Sequence, residues 1–210
     1  YRGIFTAGIL DVLREKGVTN FESVWGVSAG AINAVSFRSK QMGRAMRIML
    51  AFRDDPRFLS IRSLITTGDI AGADFMFDEI QNRLDPCDNE TFNQNPMQMY
   101  AVASDVTFGT PAYLHVKKFP EDVTMVRASA SMPTVSRMVE LDGHRYLDGG
   151  TTSSDGDIAY RGRFGRKLET RRAVRPECVG QMMHLASTRI AISTAAKPVA
   201  PLTFLRPSRW

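Results

Sequence analysis

The first half of the chain spaces its apolar residues in the two ways that helices and buried strands require. Residues 5–17 place apolar side chains three and four positions apart, which predicts an amphipathic helix that ends at Gly17. Residues 21–27 form a short, apolar and β-prone run, which predicts a buried strand. Three further helices are predicted at residues 29–40, 43–54 and 73–86.

The second half of the chain is richer in strand patterns. Two strands and a short helix are predicted at residues 96–106, 110–118 and 122–133. Residues 139–150 predict a β-hairpin whose tight turn is Asp142-Gly143. Because helices alternate with strands along the chain, we expect an α/β fold with a largely parallel sheet flanked by helices.

The pattern weakens after Gly150. Residues 151–177 show no clear period, and residues 182–194 fit a helix and a strand equally well. The last 16 residues contain three prolines and are expected to be irregular. We therefore divide the chain into a folded domain over residues 1–150 and a poorly patterned tail over residues 151–210.

Composition agrees with a single globular domain, since 43% of the 210 residues are apolar and 23% are charged. No stretch approaches 18 consecutive apolar residues, so the sequence predicts no membrane span. The net charge of +5 comes from the tail, which has 11 basic and 4 acidic residues, against 16 and 18 in residues 1–150. The tail has no aromatic-interleaved basic stripe and no known nucleic-acid motif, so we do not expect nucleic-acid binding.

The cysteines and histidines give no metal-binding pattern. Cys87 and Cys178 are 91 residues apart and form no C-x-x-C pair, which predicts unpaired thiols in a reducing compartment. His115, His144 and His184 lack ligand spacing, so no metal site is expected.

Candidate chemistry starts at the G-x-S-x-G segment formed by Gly26, Ser28 and Gly30. It lies between a predicted strand and a predicted helix, where such a serine occupies a sharp, strained turn with its hydroxyl above the sheet. Glycines two positions away avoid collisions, and the helix N-terminus favours an oxyanion. The competing interpretation is a simple small-residue turn; the strand and helix on either side favour a nucleophile.

A serine nucleophile requires a base, and the residues leave two candidates open. The order Ser28, Asp148, His184 fits an α/β-hydrolase triad, although His184 lies in the poorly patterned tail. Asp148 alone is the other candidate, because it ends an apolar strand and is followed by two glycines. His144 is expected at an exposed hairpin turn.

Four segments occur in an order that resembles a known family. They are YRG at residues 1–3, GVSAG at 26–30, VRASASMP at 126–133 and LDGG at 147–150. Together they resemble the patatin-like phospholipase family, and its bacterial members most closely. The resemblance covers residues 1–150 and implies a patatin-like three-layer architecture for that domain.

The resemblance implies a lipid acyl hydrolase that acts on glycerolipid or phospholipid esters without a cofactor or a metal. Ser28 would be the nucleophile and Asp148 the base of a Ser–Asp dyad that works through an acyl-serine. The oxyanion loop would involve Arg2, Gly3 and Ala29, and the motif glycines would be Gly26, Gly30, Gly149 and Gly150. A cytoplasmic or peripheral membrane setting is expected, with contact at a lipid surface.

Two departures from the family pattern add a third hypothesis. The family's loop glycines and the strand before them have no counterpart ahead of Tyr1, so we expect an N-terminally truncated domain. After LDGG the family continues into a proline-containing helix, which residues 151–167 do not resemble. A catalytically silent fragment that acts as a lipid-binding or partner-binding module is therefore the alternative to both the dyad and the triad.

Overall fold

A computed structural model describes residues 2–55, 57–58, 72, 74–133, 136–152, 183–184 and 190–193. The helices are α1 (Arg2–Glu15), α2 (Ala29–Arg38), α3 (Arg44–Phe52), α4 (Phe75–Leu84), α5 (Asn89–Gln94) and α6 (Val123–Ser129). The strands are β1 (Ser23–Val27), β2 (Gln98–Asp105), β3 (Thr110–Val116), β4 (Val139–Leu141), β5 (His144–Asp148), β6 (Met183–His184) and β7 (Ile190–Ser193). A 3-10 turn, Gly149–Thr151, follows β5.

Every helix and strand predicted between residues 5 and 150 is present. Helix α1 ends just before Gly17, whose φ of 72° is the left-handed conformation that closes helices. The helix predicted over residues 73–86 has π-type hydrogen bonds, which its apolar spacing did not indicate. Helix α5 was not predicted; Asp88 caps it by accepting a hydrogen bond from the Thr91 amide at 2.9 Å.

The α/β class with flanking helices is confirmed, but the expectation of a largely parallel sheet is wrong for the described strands. Only β1 and β2 pair in parallel; the other five pairings are antiparallel. The reason lies in the connections, because β2–β3 and β4–β5 are joined by four and two residues. A parallel crossover needs a dozen or more residues, so these two connections are too short for one, whereas the helical connection from β1 to β2 is long enough.

The sheet order β4-β5-β2-β1-β7-β6 contains one unusual junction, at β2. One edge of β2 pairs first with β1, up to Val27 opposite Val102, and then with β5, from Asp148 opposite Ala103. Strand β3 pairs along the other edge. Because β1 runs parallel to β2 and β5 runs antiparallel, the carboxyl ends of β1 and β5 meet end to end.

The main core lies on one face of this sheet. Alternation places Val24, Met99, Ala101 and Val116 on that face, and helices α1, α2, α4, α5 and α6 all contribute buried residues to the same cluster. The apolar cluster on the opposite face, within the described part of the chain, consists of strand residues alone. Since that cluster contains no helix residue, the second helical layer of the predicted three-layer architecture stays a prediction for the described part of the chain.

Two strands come from the segment after Gly150. Strand β7 pairs antiparallel with β1 and with β6, which resolves residues 183–184 and 190–193 as strands. Apart from these two strands and residues 151–152, the predicted basic tail, including Cys178, lies outside the described residues. Cys87 is a free, buried thiol, and burial raises its pKa. None of the described helices has the length and apolar character needed to cross a bilayer.

The close packing at the junction between β1 and α2 predicts that Gly26 cannot be replaced by a residue with a side chain without loss of stability. A Cβ at Gly26 would lie 2.5 Å from the Ala31 amide nitrogen, whereas a Cβ at Gly8 would meet nothing within 4 Å. We expect Gly26→Ala to lower the free energy of unfolding by about 3 kcal/mol, because rigid backbone must move. Gly8→Ala, within α1, should leave it unchanged or raise it by up to about 1 kcal/mol.

Denaturant unfolding of the two variants and the wild type measures both effects. Equal stabilities of the Gly26→Ala and Gly8→Ala variants would contradict the close packing of β1 against α2.

Candidate active site

Ser28 occupies the sharp, strained turn expected between β1 and α2. Its φ of 56° and ψ of −126° are far from the conformations that side-chain-bearing residues prefer, which costs about 1–3 kcal/mol. Its carbonyl accepts a hydrogen bond from the Ala31 amide at 2.9 Å, so the helix starts at once. Gly26 allows this turn, since the first turn of α2 leaves no room for a Cβ.

Asp148 ends β5 and is buried, with 4% of its surface exposed. Its Oδ1 accepts a hydrogen bond from the Gly150 amide at 2.7 Å, which fixes the carboxylate. A Cβ at Gly149 would lie 2.2 Å from the Val102 carbonyl oxygen, so only glycine fits there. The two glycines after Asp148 thus have different roles: one permits close approach to β2 and the other holds the carboxylate.

The strand register brings Ser28 and Asp148 to the same place. Ser28 directly follows Val27, which lies opposite Val102, and Asp148 lies opposite the next residue, Ala103. Successive strand residues are about 3.3 Å apart, so the turn after β1 and the end of β5 are neighbours. Residues separated by 120 positions in sequence therefore lie at adjoining strand ends.

The end of α6 and the connection that follows it contact both residues, which the sequence did not reveal. The Ser129 hydroxyl accepts a hydrogen bond from the Ser28 amide at 3.0 Å and donates one to the Val102 carbonyl at 2.6 Å. The Ser131 carbonyl accepts a hydrogen bond from the Asp148 amide at 2.6 Å. The Ser/Ala-rich composition of this segment was the only signal.

The start of α1 lies against the start of α2. A Cβ at Gly3 would be 2.9 Å from the Ala29 Cβ, and the Asn33 amide group donates a hydrogen bond to the Gly3 carbonyl at 2.7 Å. Backbone N–H groups at helix starts lack intrahelical partners and favour negative charge. Gly30 is buried in the first turn of α2, and Arg2 begins α1, although its side chain lies outside the described residues.

Two of the histidines serve other parts of the sheet. His144 lies at the hairpin turn with 42% of its side chain exposed, and its Nδ1 is 2.9 Å from Asp105 Oδ2. It starts β5, so it is about 13 Å along the strand from Asp148. His115 stacks on Tyr100 with ring centroids 4.6 Å apart, and burial lowers its pKa.

The backbone of His184 is also displaced from Ser28. His184 in β6 lies opposite Ala191 in β7, which in turn lies opposite Trp25 in β1. Two strand spacings amount to about 10 Å, and Trp25 is three residues before the turn. The strand pairing therefore does not place the backbone of His184 next to that of Ser28, as a triad would favour.

The described ranges contain no cluster of metal-ligating side chains. No group of three or more histidine, cysteine, aspartate or glutamate side chains there is arranged to hold a metal ion.

Comparison with known proteins identifies relatives of the region that contains this site. The family model described as patatin-like phospholipase matches residues 1–156. The chain is also similar to the uncharacterized protein YjjU of Escherichia coli (strain K12), with 27% identity over 158 residues. That match covers 73% of this chain and 43% of the relative, so the chain spans less than half of the relative's length.

The contact between α1 and α2 predicts a local effect of Asn33→Ala. Asn33 is buried and holds the Gly3 carbonyl, so its loss should reduce the free energy of unfolding by about 1 kcal/mol. It should also speed amide hydrogen exchange in the first turn of α1.

Asn82→Ala is the matched control, because its 2.7 Å hydrogen bond to Asp78 is exposed. We expect it to change stability by less than about 0.5 kcal/mol and to leave exchange in α1 unchanged. Equal exchange rates in α1 for both variants would show that Asn33 does not hold the helix start.

Proposed function

The chain belongs to the patatin-like phospholipase family, and on that basis we propose that it is a serine lipid acyl hydrolase with a Ser28–Asp148 dyad. Family membership supports hydrolysis of lipid acyl esters in general terms. The observation that carries the finer proposal is the end-to-end meeting of β1 and β5 on one edge of β2. That meeting puts a strained serine and a buried carboxylate at adjoining strand ends, which supports a dyad of these two residues.

The proposed reaction has two steps. In the first, the Ser28 hydroxyl attacks the ester carbonyl while Asp148 accepts the hydroxyl proton, and the tetrahedral oxyanion is stabilised by backbone N–H groups of Gly3 and Ala29. Collapse breaks the ester bond; Asp148 returns the proton to the leaving alcohol, and the acyl group stays on Ser28. In the second step, Asp148 takes a proton from water as the water oxygen attacks the acyl-serine carbonyl. Collapse breaks the bond to the Ser28 oxygen, Asp148 returns the proton to that oxygen, and a fatty acid is released.

The local structure supports these roles. Ser28 has a strained backbone between a strand and a helix, and in that setting a serine hydroxyl is exposed above the sheet, which suits a nucleophile that must reach a substrate. The Gly150 amide holds one carboxylate oxygen of Asp148, so the base is fixed before substrate binds. The starts of α1 and α2 supply backbone dipoles beside Ser28.

The substrate class we propose is a glycerolipid or phospholipid ester presented at a lipid surface. Phe5 supports this, because it lies two residues after Gly3 on α1 and is 60% exposed. The free Cys87 thiol suits a reducing compartment, so we propose a cytoplasmic protein that contacts membranes from their surface.

The dyad is tested by covalent labelling with a fluorophosphonate, which reacts only with an activated serine. We expect the wild type to label with one adduct on Ser28, Ser28→Ala not to label, and Asp148→Asn to label at least about 100-fold more slowly. Circular dichroism should show that all three are folded. No labelling of the folded wild type would favour the silent binding module instead.

His184→Ala separates the dyad from the triad. If Asp148 acts directly, the labelling rate of this variant should stay within about threefold of the wild type. A triad predicts a loss of about 10³-fold or more, because the imidazole would be the general base. His144→Ala serves as a second histidine control and should also label normally.

A further inference from the structure

We propose that Ser129 is a positioning residue for the nucleophile, in that its hydroxyl holds the backbone of Ser28 in the strained turn. This proposal rests on the function proposed above, because Ser129 would act only by keeping the nucleophile Ser28 in its reactive position. It concerns a side chain that is completely buried, at 0% exposure, at the end of α6.

The need for such a residue follows from the sheet. If the parallel pairing of β1 with β2 continued past Val27, the Ser28 amide would form its next hydrogen bond with β2. On β2, however, the residue after Val102 is Ala103, and Ala103 already lies opposite Asp148 of β5. The same junction that brings the dyad together therefore ends the β1–β2 pairing just where the strain begins.

The Ser129 hydroxyl replaces the missing ladder contact. It accepts a hydrogen bond from the Ser28 amide at 3.0 Å and donates its own proton to the Val102 carbonyl at 2.6 Å. A hydroxyl group can do both at once, whereas an alanine or an apolar side chain can do neither. Ser129 thus links the nucleophile to the last β2 residue that pairs with β1.

A strained conformation persists only where its surroundings over-determine it. Three contacts do so here: the tight approach of Gly26 to α2, the Ala31 amide on the Ser28 carbonyl, and the Ser129 hydroxyl on the Ser28 amide. The third is the only one of these that depends on a side-chain polar group. Its removal should let the turn relax and move the Ser28 hydroxyl without unfolding the domain.

The test compares Ser129→Ala with Ser39→Ala. Ser39 is 1% exposed, lies at the end of α2 and forms hydrogen bonds with Ser36 and Gln41. It is 11 residues from Ser28, or about 16 Å along the helix, so both variants lose a buried hydroxyl but only one contacts the nucleophile. The readouts are kcat and KM on p-nitrophenyl butyrate, the fluorophosphonate labelling rate, and the thermal midpoint.

We expect Ser129→Ala to lower kcat and the labelling rate by about 10- to 100-fold, with KM within about twofold of the wild type, because a small misplacement of a reacting atom has effects of this size. Ser39→Ala should stay within about threefold of the wild type on every kinetic parameter, even if its thermal midpoint falls as far as that of Ser129→Ala. If Ser129→Ala does not fold, Ser129→Cys, which keeps the volume and a weak hydrogen-bonding group, is measured in its place and should lose at least fivefold.

Two results would overturn the proposal. One is a folded Ser129 variant that labels within threefold of the wild type; the other is a Ser39→Ala variant that loses as much activity as the Ser129 variant. Failure of the dyad itself is distinct, because either the wild type would not label at Ser28 or Asp148→Asn would label at the rate of the wild type.

Discussion

One edge of β2 is divided between two strands, and the arrangement of the candidate site depends on that division. Strand β1 uses the edge as far as Val102, and β5 uses it from Ala103 onward, in the opposite direction. The two carboxyl ends therefore face each other, and the residues at those ends are Ser28 and Asp148. Neither residue needs a long loop to reach the other, since the backbone pairing of the sheet sets their separation.

The Val102 carbonyl is the point at which these constraints meet. Gly149 passes so close to it that no Cβ fits, and the Ser129 hydroxyl donates a hydrogen bond to it. Packing at this point fixes the end of β5, and the hydrogen bond fixes the start of α2 through Ser28. Two sequence motifs that lie 120 residues apart are thus tied to one peptide group.

Local patterns in the sequence were sufficient for most elements and for the local backbone setting of Ser28 and Asp148. The short apolar, β-prone run at residues 21–27 and the small-residue helix that follows indicated the strand–turn–helix setting of Ser28, and the apolar strand that Asp148 ends indicated the other strand end. Apolar spacing does not encode strand direction, however, so it could not show that β5 runs antiparallel to β2. The short turns at residues 106–109 and 142–143 indicate only that β3 is antiparallel to β2 and β5 to β4, because they are too short for crossovers. The direction of β5 against β2 depends on the longer connection between β3 and β4, which the pattern leaves open.

The role of Ser129 was beyond sequence reasoning for a different reason. The apolar pattern of residues 122–133 predicts a helix end and says nothing about which backbone amide a buried hydroxyl will meet. That partner is set by the place where the β1–β2 ladder stops, which is a property of the whole sheet. The helical layer expected on the far side of the sheet stays a prediction for the described part of the chain.

The central claim is that Asp148 activates Ser28 directly, and pre-steady-state acylation tests it most directly. The wild type, mixed with an excess of p-nitrophenyl butyrate, should release a burst of about one p-nitrophenol per chain, and intact mass with peptide mapping should find the butyryl group on Ser28. Asp148→Asn, which keeps the shape and the Gly150 hydrogen bond, should slow that burst by at least about 100-fold. A burst of full rate from Asp148→Asn, or an adduct on another residue, would contradict the account.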